Sequence, residues 1–224
     1  VVPFLEHRRI KKLDMVIVSH PHEDHYGGLF AVLEKFPVKR LVTTAEVPET
    51  KSYSEFLESA HEMNISREIV REGDIYTAGP FLEMKVLSPP EELFSGTGND
   101  SNNNSLVLHL RYKEVGFLFT GDIETSAVDY LLSEQKIPAV QILKVPHHGG
   151  NLGNLRELLD SASPCAAVIS VGTNSFGHPH TSTLAGLEDS EVEVYRTDLH
   201  GAVIIRSNGF EYTIETMLVP QPAL

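Results

Sequence analysis

The chain holds 224 residues, 41% of them hydrophobic, and its 18 Lys and Arg stand against 31 Asp and Glu for a formal net charge of −13. That length buries a full core in a single domain, expected over 1–224; no apolar run reaches the roughly 20 residues that span a bilayer and nothing at the start resembles a secretory signal, so a soluble domain is expected. The acidic balance argues against broad, passive nucleic-acid binding, which leaves a basic footprint.

The basic runs His7-Arg8-Arg9-Ile10-Lys11-Lys12 and Lys39-Arg40 read as solvated faces or strand flanks. Asp14-Met15-Val16-Ile17-Val18 is a β-branched apolar run that predicts a buried strand over 14–20, and apolar residues at helical spacing predict a helix over 27–36. Between them stands Ser19-His20-Pro21-His22-Glu23-Asp24-His25-Tyr26-Gly27-Gly28, with the pattern H-x-H-x-D-H. On an extended chain His20 and His22 point to the same side, and the following turn returns Asp24 and His25 from another direction. One loop can therefore serve two adjacent ions. Imidazole and carboxylate donors without thiolate suit Zn, Mn or Fe and leave positions open for water, so the expected site is catalytic and holds two divalent ions, Zn or Mn. Two such ions add about four positive charges, so the net charge does not exclude a nuclease.

Strands expected over 40–45 and 81–88 flank a helix over 52–64 and two short strand pieces near 67–78. Residues 95–104 form a polar, turn-rich loop, and its Gly96-x-Gly98 lacks the strand and helix that a dinucleotide fingerprint needs. A hairpin of 105–112 and 115–120 turns at Lys113-Glu114 and ends in Gly121-Asp122, whose carboxylate can bridge two cations. A helix over 123–134 and a strand over 140–145 lead to Pro146-His147-His148-Gly149-Gly150. Successive side chains diverge, so one imidazole can bind metal while its neighbour faces substrate; His147 is the preferred ligand. A helix over 151–160 precedes a strand over 165–171. Its Cys165, the only cysteine in the chain, excludes disulfides and thiolate metal sites and reads as a small core hydrophobe.

In Asn174-Ser175-Phe176-Gly177-His178-Pro179-His180, His178 is placed to act as a general acid or as a donor to a developing oxyanion, with loop stabilisation as the alternative. His180 reads as the cap of a helix over 181–189. His7, His61 and His109 fall in ordinary amphipathic patterns. A strand over 192–197 and a hairpin over 202–216 end the alternation, which predicts an α/β fold of mixed sheets with helices outside. Each polar cluster follows a strand, where loops gather functional residues.

His20-x-His22-x-Asp24-His25 followed by Gly121-Asp122 resembles the metallo-β-lactamase superfamily of binuclear metallohydrolases. Asn103-Asn104-Ser105, Phe119-Thr120-Gly121-Asp122-Ile123, Leu143-Lys144-Val145-Pro146-His147-His148-Gly149, Gly177-His178-Pro179 and Arg196-Thr197-Asp198 with Gly201 are similar, in order and spacing, to the hydrolase domain of ComEC-type DNA-uptake competence proteins. The resemblance implies an αβ/βα sandwich of two facing mixed sheets with the metals at one edge. It makes His20 and His22 ligands of a first metal, Asp24 and His25 ligands of a second, and Asp122 the bridge. Most members of the superfamily place a third histidine for the first metal near 104; here Asn104-Ser105 stands instead, as in the ComEC-like group, and His147 or water would complete that metal.

The same resemblance implies amino-terminal strands ahead of Val1. The chain is thus expected to be a fragment of a longer membrane protein whose channel domain precedes it, lying outside the cytoplasmic membrane and working with the DNA-uptake machinery. The activity it implies is two-metal hydrolysis of single-stranded DNA, with Asp24 and Asp122 orienting the nucleophile and His178 or His148 donating to the leaving oxygen. Two alternatives stand beside it: a hydrolase of a small lactone, thioester or phosphodiester, and a metal-depleted domain that only binds DNA or a partner.

Overall fold

In the computed structural model, residues 1–46 and 50–219 are described. The first half runs α1 (Val2–His7), β1 (Val16–Ile17), α2 (Glu23–Tyr26), α3 (Leu29–Lys35), β2 (Arg40–Thr43), α4 (Lys51–Glu62), β3 (Ser66–Ile69), β4 (Ile75–Ala78) and β5 (Leu82–Ser88). After a loop come α5 (Asp100–Asn103), β6 (Val107–Tyr112), β7 (Val115–Phe119), α6 (Thr125–Ser133), β8 (Ile142–Lys144), a tight turn at Pro146–Gly149, α7 (Leu155–Ala162) and β9 (Ala166–Ile169). Helix α8 (Thr181–Asp189), β10 (Glu193–Arg196), α9 (Thr197–His200) and the hairpin β11 (Val203–Ser207) and β12 (Tyr212–Thr216) complete it. No helix among the described residues is long and apolar enough to cross a membrane.

The strands form a three-stranded parallel sheet, β1-β2-β3, and a seven-stranded mixed sheet, β10-β9-β8-β7-β6-β5-β4, with β11 and β12 paired apart. Period-two alternation assigns the faces. In β2, Leu41 packs with Tyr53 and Phe56 of α4, while Val42 packs with Val86 of β5 and Leu108 of β6. In β6 the neighbouring Val107 turns the other way, onto Leu118, Val128 and Leu131 beneath α6. The layers are therefore helix, sheet, sheet, helix, the αβ/βα sandwich expected. Phe56 and Leu131 are 0% and 1% exposed, and each such side chain contributes about 1.5–3 kcal/mol through burial.

Strands β7, β8, β9 and β10 are mutually parallel, and β6 runs antiparallel to β7. The loops after β7, β8 and β9 thus leave from one edge, where the segment entering β6 also lies. The smaller sheet reaches the same edge: the Leu106 N–H donates to the Ser19 carbonyl at 2.8 Å.

The element ends differ from expectation in instructive ways. Helix starts at Glu23 instead of 27, which puts Asp24 and His25 on its first turn. The turn-rich loop contains α5, and Asn102, Asn103 and Asn104 are buried because their amides bond to the surrounding chain. Cys165 is a correction. It is exposed, since the strand begins only at Ala166 and the cysteine sits outside the packed layer, beside Tyr212.

Candidate metal centre

Asp24, His25, Asp122 and His148 each offer a donor atom, and these atoms lie within 4.8 Å of one another. His25 Nε2 is 3.2 Å from Asp122 Oδ2 and 3.3 Å from His148 Nε2. His148 Nε2 stands 3.0 Å from Asp122 Oδ2 and 3.1 Å from Asp24 Oδ2. Beside them, His20 Nε2 faces His22 Nδ1 at 3.0 Å, and Ser19 Oγ lies 3.2 Å from His20 Nδ1 and 3.0 Å from His25 Nδ1.

The chemistry of this donor set fits a cation. His148 Nδ1 lies 2.7 Å from the Ser170 carbonyl, an acceptor only, so that nitrogen carries the proton. In the neutral ring Nε2 is then a bare lone pair aimed at two carboxylates and a second imidazole. Only a proton or a metal ion relieves that arrangement. Without an ion the proton takes the place: the hydrogen bond to Asp122 raises the His148 pKa above the ordinary imidazole value despite burial. Burial alone would raise the Asp122 carboxyl, but hydrogen bonds from His148 and His25 outweigh it and hold the group well below the carboxylate range. His20, 1% exposed, is driven by burial down to about 2, so its ring is neutral and its lone pair free for a metal.

Backbone geometry aims these groups. Gly121 takes φ +54, and the Asp122 N–H then donates to Ser105 Oγ at 3.0 Å. Lys144 Nζ donates to the Gly121 carbonyl at 2.6 Å and stands 3.4 Å from Asp122 Oδ1; burial lowers its pKa, with Asp122 opposing. His147 and His148 both have left-handed backbones, φ 47 and φ 53, each costing about 1–2 kcal/mol. Two successive left-handed residues turn the rings apart.

The structure brings His148, and not the preferred His147, into the four-residue group. His147 Nδ1 instead lies 3.3 Å from Glu124 Oε1, which also accepts from Asn102 Nδ2 at 2.8 Å and Asn99 Nδ2 at 2.9 Å. Asn104, at the position of the missing histidine, spends its amide on Phe94, donating to its carbonyl and accepting from its N–H. His178 lies tilted against His147, ring centroids 5.2 Å apart, and burial depresses its pKa. His180 caps α8 by accepting from the Ser182 N–H. A cavity of about 670 Å³ joins His22, Asp24, Asp122, His147, His148 and His178. The sequence motifs include Ser105 and Lys144 but give neither a role, and Glu124 stands outside them, although a lone lysine inside the apolar run 142–145 was a visible signal of a paired buried charge.

Such a fold, with histidines and aspartates meeting at the edge where two sheets join, defines a class of metal-binding α/β-sandwich proteins. Residues 3–173 match the metallo-beta-lactamase superfamily, and the chain belongs to that family. It is 31% identical over 207 residues to ComE operon protein 3 of Bacillus subtilis (strain 168), covering 92% of this chain and 26% of that protein. With competence protein ComA of Neisseria gonorrhoeae it shares 27% identity over 208 residues, covering 91% of this chain and 26% of that one. The chain thus spans about a quarter of the length of these curated relatives. CmlA, a diiron β-hydroxylase from Streptomyces venezuelae, matches with a TM-score of 0.57 at 14% identity, over 92% of this chain and 45% of CmlA; that likeness concerns the fold alone. The superfamily and the ComEC-type resemblance read from the motifs are both borne out.

Proposed function

We propose that this domain is a metal-dependent hydrolase that holds two divalent ions, Zn or Mn, and cleaves phosphodiester bonds of single-stranded DNA during DNA uptake. In this reading it forms the extracytoplasmic part of a longer membrane protein. The observation that carries it is the convergence of Asp24, His25, Asp122 and His148 within 4.8 Å, next to the His20 and His22 pair. The competence relatives supply the biological context.

His20 and His22 would hold the first ion, Asp24, His25 and His148 the second, and Asp122 would stand between them. When bound, the ions supply Lewis-acid polarisation of the phosphate and a nucleophile available at neutral pH. The chain does the positioning. Ser105 and Lys144 fix the Asp122 backbone and carboxylate, Ser170 fixes the His148 ring, and Asp24, 61% exposed at its side chain, faces the cavity to orient the attacking oxygen. His178 lines the cavity and donates to the leaving oxygen.

The test is cleavage of end-labelled single-stranded DNA by the Mn-loaded or Zn-loaded chain, with chelator and Asp122→Ala as controls. Metal-dependent cleavage that the substitution abolishes is expected. A fully loaded chain that leaves the strand intact would remove the nuclease reading, and one that takes up no metal would remove the hydrolase reading altogether. A second reading, hydrolysis of a small phosphodiester, draws on the cavity itself: about 670 Å³ lies in the range of small-ligand sites. Turnover of bis(p-nitrophenyl) phosphate without cleavage of the strand would favour it.

A further inference from the structure

Phe176 is 81% exposed and sits at the mouth of the cavity that holds the metal-donor residues. A single exposed apolar side chain is ordinary; a loop built to hold it still is not. Asn174 alone makes four bonds within that loop. Its Nδ2 donates to the carbonyls of Gly172 at 2.9 Å and His178 at 2.8 Å, and its Oδ1 accepts from the N–H groups of Phe176 at 3.0 Å and His178 at 3.1 Å. Gly177, at φ +78, lets the chain double back so that residues 176 and 178 lie side by side. The Phe176 ring then stacks on His178, centroids 5.9 Å apart and planes 28° apart, and His178 lies against His147 at 5.2 Å. A row of rings runs from solvent to the metal centre.

The charges around the cavity sharpen the question of what this row is for. Among the described residues, no Lys or Arg lines it, and the chain carries a net −13. The cavity lining itself thus offers no cationic side chain for phosphate attraction, the usual source of nucleic-acid affinity. Stacking on an aromatic face needs no positive charge and tolerates any base, because every base has a π-face. It also demands an unpaired base, since bases within a duplex are already stacked on each other.

We propose that Phe176, backed by His178, is a nucleobase-stacking subsite that holds the base next to the phosphate at the metal centre and selects single strands over duplex. This rests on the single-stranded substrate reading above and adds to it a residue and a contact. The experiment compares the wild-type chain with Phe176→Ala and Phe176→Trp in binding short fluorescent oligodeoxynucleotides, intact or carrying one abasic residue at each position in turn. Emission of 2-aminopurine placed along the strand reports stacking directly, and thermal unfolding checks that each exposed substitution leaves the fold in place.

Phe176→Ala is expected to weaken binding of the intact strand about 5- to 150-fold and to abolish 2-aminopurine quenching at one position, with Phe176→Trp restoring both. An abasic residue at that same position is expected to weaken wild-type binding to the Phe176→Ala level and to add nothing in the variant. Equal binding of the intact strand by wild type and Phe176→Ala, or an equal loss on the abasic strand, would overturn the subsite. The two readings separate cleanly. Cleavage that proceeds with no dependence on Phe176 removes the subsite and keeps the hydrolase; Phe176-dependent binding without cleavage keeps the subsite and removes the nuclease; a wild-type chain that does not bind the strand removes both.

Discussion

Replacing Gly121 by Ala is expected to loosen the joint that carries Asp122, by an amount that follows from two observations. The residue has φ +54, a left-handed backbone that costs a residue with a side chain about 1–2 kcal/mol. A Cβ there would also fall 2.6 Å from Ser105 Cβ, 2.9 Å from Ser105 Oγ and 3.2 Å from Ser19 Cβ. Ser105 is short, 0% exposed and engaged through Oγ with the Asp122 N–H, so it cannot swing aside. Relief must come from backbone movement, which costs about 1–3 kcal/mol, and the sum is a loss of about 2–5 kcal/mol. With a urea slope of about 2 kcal/mol/M the unfolding midpoint should fall by about 1–2.5 M, measured by circular dichroism on the metal-free chain. Ser105→Gly in the same chain removes the overlapping atoms and should recover the steric part, leaving the left-handed cost and about 1 kcal/mol for the lost hydrogen bond. A Gly121→Ala loss below about 1 kcal/mol, or strictly additive behaviour in the double variant, would refute the packing argument.

Three further expectations follow from other parts of the structure. Mn or Zn at 100-fold over its Kd should stabilise the chain by about 2.7 kcal/mol for each site filled; His148→Ala should lose the share of that thermal shift due to the second ion and His147→Ala should keep it, and the reverse pattern would move the metal to His147. Asn103, 1% exposed, accepts from the backbone N–H groups of Glu124 and Ala127 at the start of α6, so Asn103→Ala should cost about 2–4 kcal/mol in urea unfolding by leaving both donors unpaired. Burial, aided by Arg111, lowers the His109 pKa. As pH falls through about 6.5 the unfolded ring takes a proton before the folded one does, so stability drops below that pH, and His109→Leu should shrink the difference between unfolding midpoints at pH 7.5 and pH 5.

What could be read from the chain was local and dense. His20 to His25, Gly121-Asp122 and His147-His148 stand out because several metal-ligating side chains crowd into short stretches directly after apolar strands. Strands β5 to β9 were legible for the same reason, as apolar runs bounded by turn residues. Long-range partners were not. That β3 joins the smaller sheet and β4 the larger depends on pairing with distant strands, and their short sequences carry no mark of it. The different placement of the His147 and His148 rings is set by Glu124 and Ser170 and by two left-handed residues in succession, none of which a single-residue preference favours. The burial of Asn102 to Asn104 was hidden because asparagines that tie a loop together have the same composition as asparagines that merely turn it. Helix α1 went unread because Val1-Val2-Pro3-Phe4-Leu5-Glu6 is too short to display a helical stripe.

The edge where the sheets meet joins the two halves of the donor set. The Leu106 to Ser19 hydrogen bond seats the loop after β1, which carries His20 to His25, against the segment entering β6, on the same edge from which the loops after β7 and β8 bring Asp122 and His148. Neither half of the chain owns a complete set of donors. An ion bound across that seam would act as a clasp, gaining its full coordination only once the two halves have closed in register. Loading would then certify assembly: a nascent or misdocked chain would stay inert, and hydrolytic power would be switched on by the same event that locks the halves together.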